Sequence, residues 1–169
     1  GSLINSTEGV LFAEMAALTI TNSGLVDISL SDGTATNQLI IYYYTATNTI
    51  YYYLIVGGSV QVSNSVVISD ITSFNKVAFK WKLNDFALWV NGVELLTDSL
   101  GSVPSPNTFT MLNFAHATGV ANFVGKIRQL QVYDTALTDE QLLQLTGESG
   151  TDFYESYAAM ASALTYTIQ

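Results

Sequence analysis

Short stretches in which apolar and polar residues alternate, separated by Gly, Asn, Asp or Ser, dominate this chain. Such a pattern is typical of an all-β sandwich or barrel. It predicts strands at residues 9–17, 25–31, 39–45, 51–56, 60–62 and 66–69 in the first half of the chain. In the second half it predicts strands at residues 76–83, 86–90, 93–97, 108–114 and 126–133.

The clearest alternation lies in residues 76–83, where apolar side chains occupy every second position. The period of two predicts a core face and a solvent face. The predicted core face carries Val77, Phe79, Trp81 and Leu83, and the solvent face carries Lys76, Ala78, Lys80 and Lys82. The Asn91-Gly92 pair after the next strand predicts a two-residue hairpin turn, because both positions tolerate positive φ. Trp89, on the strand before that turn, is predicted to be a core residue like Trp81.

Helical patterns replace the alternation near the C-terminus. Thr138 with Gln141 three residues later forms a capping-box pattern, and Gly147 is a typical helix stop. A second helix is predicted after residue 150 from an apolar stripe at helical spacing. Its members are Phe153, Tyr157, Met160, Ala161 and Leu164. These patterns predict a β-sandwich domain at residues 3–147 and a helical extension at 148–169 that packs on the domain or on a neighbouring subunit.

The composition narrows the classes of partner. Hydrophobic residues make up 49% of the 169 residues and charged residues 11%, which excludes a disordered chain. The net charge is −9 with only five basic residues, so we expect no nucleic-acid binding. No apolar run is long enough for membrane insertion as a helix. The absence of cysteine excludes disulfides and thiolate metal sites, and it fits assembly in the cytosol, including the assembly of virus particles.

Two segments carry a resemblance to a known fold family. Residues 86–95, FALWVNGVEL, resemble the strand, Asn-Gly turn and strand of laminin-G-like and pentraxin-like domains. Residues 125–147, GKIRQLQVYDTALTDEQLLQLTG, are similar to the strand, turn and short helix that close those domains. The resemblance implies an all-β fold, a two-sheet antiparallel β-sandwich of the concanavalin A-like jelly-roll type with short C-terminal helices. It does not define a function, because many functions share this sandwich.

A second resemblance concerns the polar, uncharged surface and residues 150–169, which are similar to modules of bacteriophage tail fibres and other virion proteins. It implies location in the virion, a homotrimer, contacts with other virion proteins and binding to a host-surface glycan or receptor. Two alternatives remain at this point. One is a carbohydrate-binding module of a secreted or cell-surface bacterial protein, and the other is a purely structural self-assembly domain.

Tyrosines are concentrated in one predicted hairpin, on the two arms at residues 39–45 and 51–56. Alternation places Tyr42 and Tyr44 on one face of the first arm, and Tyr51 and Tyr53 on one face of the second. Three interpretations remain open for these four residues: cross-strand pairing that stabilises the sheet, a subunit interface, or a platform for sugar rings. They are the candidate ligand-binding or interface residues.

Catalytic and metal-binding patterns are weak. Relatives of this sandwich that hydrolyse polysaccharides place two carboxylates on one face of one strand, yet no two acidic residues here stand two apart. His116, the only histidine, lies in a predicted surface loop without a nucleophile motif. We therefore expect a protein that is not an enzyme. Laminin-G-like domains often bind calcium through carboxylates of rim loops, and the resemblance makes Asp32, Asp70, Asp85 and Asp98 the candidates here, but no cofactor or metal site is assigned.

Overall fold

The alternating segments pair into two antiparallel sheets of five strands each. A computed structural model describes residues 4–18, 25–119 and 123–147. The strands are β1 (Glu8–Ala17), β2 (Leu25–Ser31), β3 (Gln38–Tyr44), β4 (Thr49–Val56), β5 (Ser59–Val67), β6 (Asn75–Lys82), β7 (Asp85–Val90), β8 (Val93–Asp98), β9 (Met111–Asn113) and β10 (Gly125–Tyr133), and the helix is α1 (Asp139–Thr146). The order is β10-β1-β6-β7-β8 in sheet A and β5-β4-β3-β2-β9 in sheet B. The predicted two-sheet antiparallel sandwich is confirmed.

The main core lies between the two sheets, because alternate residues of each strand turn towards the opposite sheet. Leu11, Phe79 and Trp81 of sheet A pack in one cluster with Ile41 and Tyr43 of sheet B, and all five are fully buried. The prediction that Trp81 is a core residue is confirmed. Leu83, predicted on the same core face, instead lies beyond the end of β6 and is 59% exposed.

Two predicted strand boundaries were wrong. The segments 60–62 and 66–69 form the single strand β5, whose register shifts beside Leu54 and Ile55 because Gln61 bulges out of the ladder. The strand predicted at residues 108–114 is only three residues long. Before it, the Phe109 N–H donates to Ser6 Oγ, at 2.8 Å, and the Thr110 N–H donates to the Ser31 carbonyl of β2.

The predicted hairpin turn between β7 and β8 is confirmed. Asn91 and Gly92 have φ angles of 49° and 80°, the positive values that a two-residue turn of this kind needs. A different constraint applies to Gly9 on β1, where two neighbours approach the backbone. A Cβ at this position would lie 2.4 Å from the Tyr133 carbonyl oxygen and 2.6 Å from the Trp81 ring.

Helix α1 packs on the face of sheet A that is turned away from the core. The predicted capping box is confirmed, since Thr138 Oγ1 accepts from the Gln141 N–H and the Gln141 side chain accepts from the Thr138 N–H. Gly147 follows the helix and its N–H donates to the Leu143 carbonyl. Leu142 is fully buried in a second cluster with Phe12 and Trp89. Trp89 is therefore buried, as predicted, but in this cluster under the helix.

The same helix corrects the prediction that the lysines of β6 lie in water. Lys80 is only 7% exposed, because α1 covers its strand, and its Nζ lies 2.6 Å from a carboxylate oxygen of Asp85 and 3.6 Å from one of Asp139. Lys82, at the end of the strand, is exposed as expected. Two ion-pair partners compensate the burial of the ammonium group.

Residues 148–169 lie outside the described part of the chain, and so does the second helix predicted there. Within the described residues, no helix has the length and apolar character to cross a membrane.

Candidate functional site

The candidate tyrosines lie on the outer face of sheet B, the face turned away from the core. Tyr43 of β3 and Tyr52 of β4 point into the core and are buried. Alternation then turns their neighbours outward. Tyr42 is opposite Tyr51 across the hairpin, and Tyr44 and Tyr53 flank this pair. The structure thus brings together all four tyrosines that the sequence singled out.

These four residues, Tyr42, Tyr44, Tyr51 and Tyr53, form one aromatic surface that we call the tyrosine platform. The rings of Tyr42 and Tyr51 are stacked, with centroids 4.9 Å apart and planes at 9°. Tyr44 meets Tyr51 edge to face at 6.1 Å, and Tyr53 meets Tyr42 in the same way at 6.2 Å. Tyr44 is 37% exposed and the other three are half-buried. The cross-strand pairing proposed from the sequence is therefore present, and part of the aromatic surface still faces solvent.

A loop after β9 borders the platform. Ser29 of β2 donates a hydrogen bond of 2.7 Å to the Ala115 carbonyl, which holds the loop against sheet B. Nε2 of His116 lies 3.1 Å from the Tyr53 hydroxyl, and its Nδ1 lies 3.1 Å from Oγ1 of Thr118. His116 is consequently half-buried and part of the site. The sequence placed it in a surface loop without a role, because no local motif reports a contact across 63 residues.

Asp27 is the second residue of the site that sequence reasoning missed. It lies on β2 opposite Tyr42, and it is 2% exposed. Its Oδ1 accepts no hydrogen bond from any residue that the structure describes. Burial raises the pKa of this carboxyl from 3.8 to about 7. The alternation of Asp27, Ser29 and Ser31 along β2 was a signal that this face of the sheet is polar.

The hydroxyls of Tyr42 and Tyr53 keep their protons at neutral pH. Burial, the charge of Asp27 and the neighbouring Tyr42 raise the pKa of Tyr53 to about 12. Burial, Tyr51, Asp27 and Tyr44 also raise the pKa of Tyr42 above its usual value. Each hydroxyl can therefore donate one hydrogen bond and accept others. The platform combines apolar ring surface with neutral polar ends.

The basic residues lie elsewhere in the molecule. The chain has five, and they stand on β6 and β10 of sheet A: Lys76, Lys80, Lys82, Lys126 and Arg128. None of the strands of sheet B contains Lys or Arg. The segments outside the described residues contain neither residue type in their sequence. No lysine or arginine can therefore come from the strands that carry the platform.

The four aspartates considered for calcium do not converge within the described residues. No three acidic or histidine side chains there lie close enough to hold a metal ion. Asp32 accepts hydrogen bonds from Thr34 and Asn37, which lower its pKa although burial opposes this. Asp70 accepts hydrogen bonds from Thr72 and Ser73, which lower its pKa as well.

The other two calcium candidates also have partners close by. Asp98 accepts a bond from the Leu100 N–H, and Asp85 pairs with Lys80. Each of the four carboxylates thus stabilises its own loop or strand end.

Comparisons with known proteins agree with this architecture. A family model described as the concanavalin A-like lectin/glucanases superfamily matches residues 16–143, and the chain belongs to this superfamily. No curated protein matches the chain by sequence at a significant level. Solved structures that share the fold at low identity include two carbohydrate-binding modules and a domain of a larger enzyme.

The first is the CBM40 module of the Ruminococcus gnavus IT-sialidase, with a TM-score of 0.60 and 20% identity over 85% of this chain and 84% of that one. It has also been solved bound to alpha2,3 sialyllactose. The second is the carbohydrate-binding module CBM66 of Bacillus subtilis, with a TM-score of 0.56 and 11% identity over 78% of each chain. The NanB sialidase of Streptococcus pneumoniae has a TM-score of 0.64 and 15% identity over 88% of this chain, which spans 25% of that enzyme.

Proposed function

We propose that this member of the concanavalin A-like lectin/glucanases superfamily is a non-catalytic carbohydrate-binding module whose ligand lies on the tyrosine platform. The platform itself carries the proposal, since four tyrosines turn outward from one hairpin and leave ring surface exposed. An aromatic ring packs against the C–H face of a sugar ring, and its hydroxyl exchanges hydrogen bonds with sugar hydroxyls. The shared fold of the carbohydrate-binding modules of R. gnavus and B. subtilis supports it.

Stabilisation of the sheet explains the positions of only some of the platform tyrosines. The stacked pair Tyr42 and Tyr51 stabilises the hairpin with or without a ligand. Tyr44, by contrast, is the most exposed member and touches the pair with a ring edge. Tyr53 and His116 share a hydrogen bond at the border of the platform, where a ligand could exchange bonds with both. Substitutions at Tyr44 and Tyr53 can therefore distinguish a binding role of the platform from a stabilising one.

Calorimetric titration with a glycan selected on an array tests the proposal. Tyr44→Ala is expected to weaken binding about tenfold, because one stacking surface is lost. Leu143→Ala is the control, since Leu143 is 48% exposed and lies on α1, which packs on the outer face of sheet A. Tyr53→Phe removes one platform hydroxyl, and Tyr133→Phe removes one on sheet A. We expect each platform variant to lose more glycan affinity than its control. Losses of affinity that are equal in variant and control would contradict a ligand on the platform.

The absence of catalysis is part of the proposal. No two carboxylates stand two apart in the sequence, which is the spacing that a hydrolytic pair on one strand requires. Incubation with a glycan that binds is expected to release no new reducing ends. Steady release at a rate proportional to protein concentration would contradict this part.

We further propose that the module is displayed on a virion fibre as a homotrimer, in contact with other virion proteins and a host-surface glycan. The polar, weakly charged surface suggests this setting. The bacterial modules with the same fold favour the alternative, a module of a secreted or cell-surface bacterial protein. Light scattering coupled to gel filtration separates the two. A trimer supports the fibre, and a monomer at all concentrations supports the bacterial module.

A further inference from the structure

Charge is distributed unequally between the two sheets. All five lysine and arginine side chains belong to β6 and β10 of sheet A. Three of them form ion pairs there: Lys80 with Asp85, Lys82 with Glu8 and Arg128 with Glu14. Lys76 donates a hydrogen bond to the Gly147 carbonyl. Sheet B, which carries the platform, has a carboxylate but no lysine or arginine.

That carboxylate is Asp27, buried opposite Tyr42. A charge held in a low-dielectric surrounding acts more strongly on its neighbours than one in water. Asp27 is paired with Tyr42 across β2 and β3, so its negative field reaches the platform, and it also helps to raise the pKa values of Tyr42 and Tyr53. A negatively charged ligand on these rings would meet the same field.

An acidic sugar needs a positively charged partner in its binding site. A sialic acid, a uronic acid or a sulfated sugar carries an anionic group that loses water when it binds. Proteins usually compensate this loss with arginine or lysine, which pair with the anion through charge-assisted hydrogen bonds. Apart from Asp27, the polar side chains of the strands beneath the platform are uncharged: tyrosine and serine hydroxyls, with a few Thr, Asn and Gln residues.

We infer that the tyrosine platform accepts neutral glycans and rejects glycans that carry an acidic sugar at the contact. This inference rests on the proposed function and narrows it to one ligand class. The fold is shared with a module solved bound to alpha2,3 sialyllactose, so the ligand class is set here by side chains on the sheet and not by the fold.

The test is an array of matched pairs, each a neutral glycan and the same glycan extended with sialic acid, uronic acid or sulfate. Binding is measured at pH 8, above the pKa of Asp27, and at low ionic strength, where charge effects are least screened. We expect affinity for neutral members about tenfold or more above that for their acidic partners. Equal or tighter binding of the acidic members would overturn the inference and leave the proposed function standing. Binding to no glycan would overturn both.

A charge-insertion variant locates the discrimination on the platform. Ser63 lies opposite Tyr53 on β5 and is exposed, so Ser63→Arg adds a cation at the edge of this face. Thr135→Arg is the matched control, because it adds the same charge at an exposed position beyond β10. We expect Ser63→Arg alone to raise affinity for acidic glycans, by about tenfold. An equal gain in both variants would show that rejection arises from net charge and would contradict the inference.

Discussion

Replacing Asp27 with asparagine should change how the stability of the domain depends on pH. The carboxyl is 2% exposed, and its Oδ1 has no hydrogen-bond partner among the described residues. Its pKa rises from 3.8 to about 7 on folding, so the folded state holds a proton that the unfolded state has already released between these pH values. Stability therefore falls as pH rises through this window, and it levels off above pH 7.

The size of the effect follows from the shift. A difference of roughly three pKa units at about 1.4 kcal/mol per unit sets an upper bound of about 4 kcal/mol between pH 4 and pH 8, and solvent screening lowers the effect below it. Asparagine has nearly the same shape and no charge to desolvate. Relative to the wild type, Asp27→Asn should therefore be more stable at pH 8 than at pH 4 by an amount of this order.

Urea unfolding followed by the fluorescence of the two buried tryptophans, Trp81 and Trp89, measures the difference directly. Other carboxylates, such as Asp32 and Asp70, have lowered pKa values and therefore make the stability of the domain fall as the pH falls. Comparison of the variant with the wild type at each pH removes their contribution. Asp134→Asn, at an exposed position, is the control. A stability difference between Asp27→Asn and the wild type that stays constant from pH 4 to pH 8 would refute the reasoning.

Three further expectations concern packing and metal. Gly9→Ala should destabilise the domain by about 1–3 kcal/mol or more, because its Cβ would meet a backbone carbonyl at 2.4 Å; urea unfolding without a loss would contradict this close approach. Leu142→Ala should cost about 2–5 kcal/mol and Leu143→Ala much less in the same assay, because the first side chain is fully buried under α1 and the second is 48% exposed. Glycan affinity should not change when calcium is chelated, since no three metal-binding side chains converge in the described residues; a loss in chelator that calcium restores would contradict this.

Much of the fold could be predicted because alternation is a local signal. The strand at residues 76–83 and the turn at Asn91-Gly92 follow from period-two patterning and from backbone conformations that few residues adopt. The burial of Lys80 could not be predicted in this way. It depends on α1, which begins 59 residues later in the sequence at Asp139 and covers the face of β6 that is turned away from the core.

The candidate site was accessible from the sequence only in part. Alternation placed Tyr42 and Tyr44 on one face of their strand, and the hairpin brought Tyr51 and Tyr53 beside them. His116 could not be added, because its contact with Tyr53 depends on how a loop folds over sheet B. Asp27 was overlooked because a single acidic residue in a strand is ordinarily solvated, and only the structure shows its burial.

The most direct test of the central claim uses the imidazole of His116, the only histidine in the chain. Its Nε2 lies 3.1 Å from the hydroxyl of Tyr53 at the border of the platform, so its NMR signals report on this site alone. Titration with a neutral glycan that binds should shift these signals in proportion to occupancy, and Tyr44→Ala should move the midpoint to higher glycan concentration. Saturating glycan that leaves the imidazole signals unchanged, while signals from sheet A shift, would contradict a ligand on the tyrosine platform.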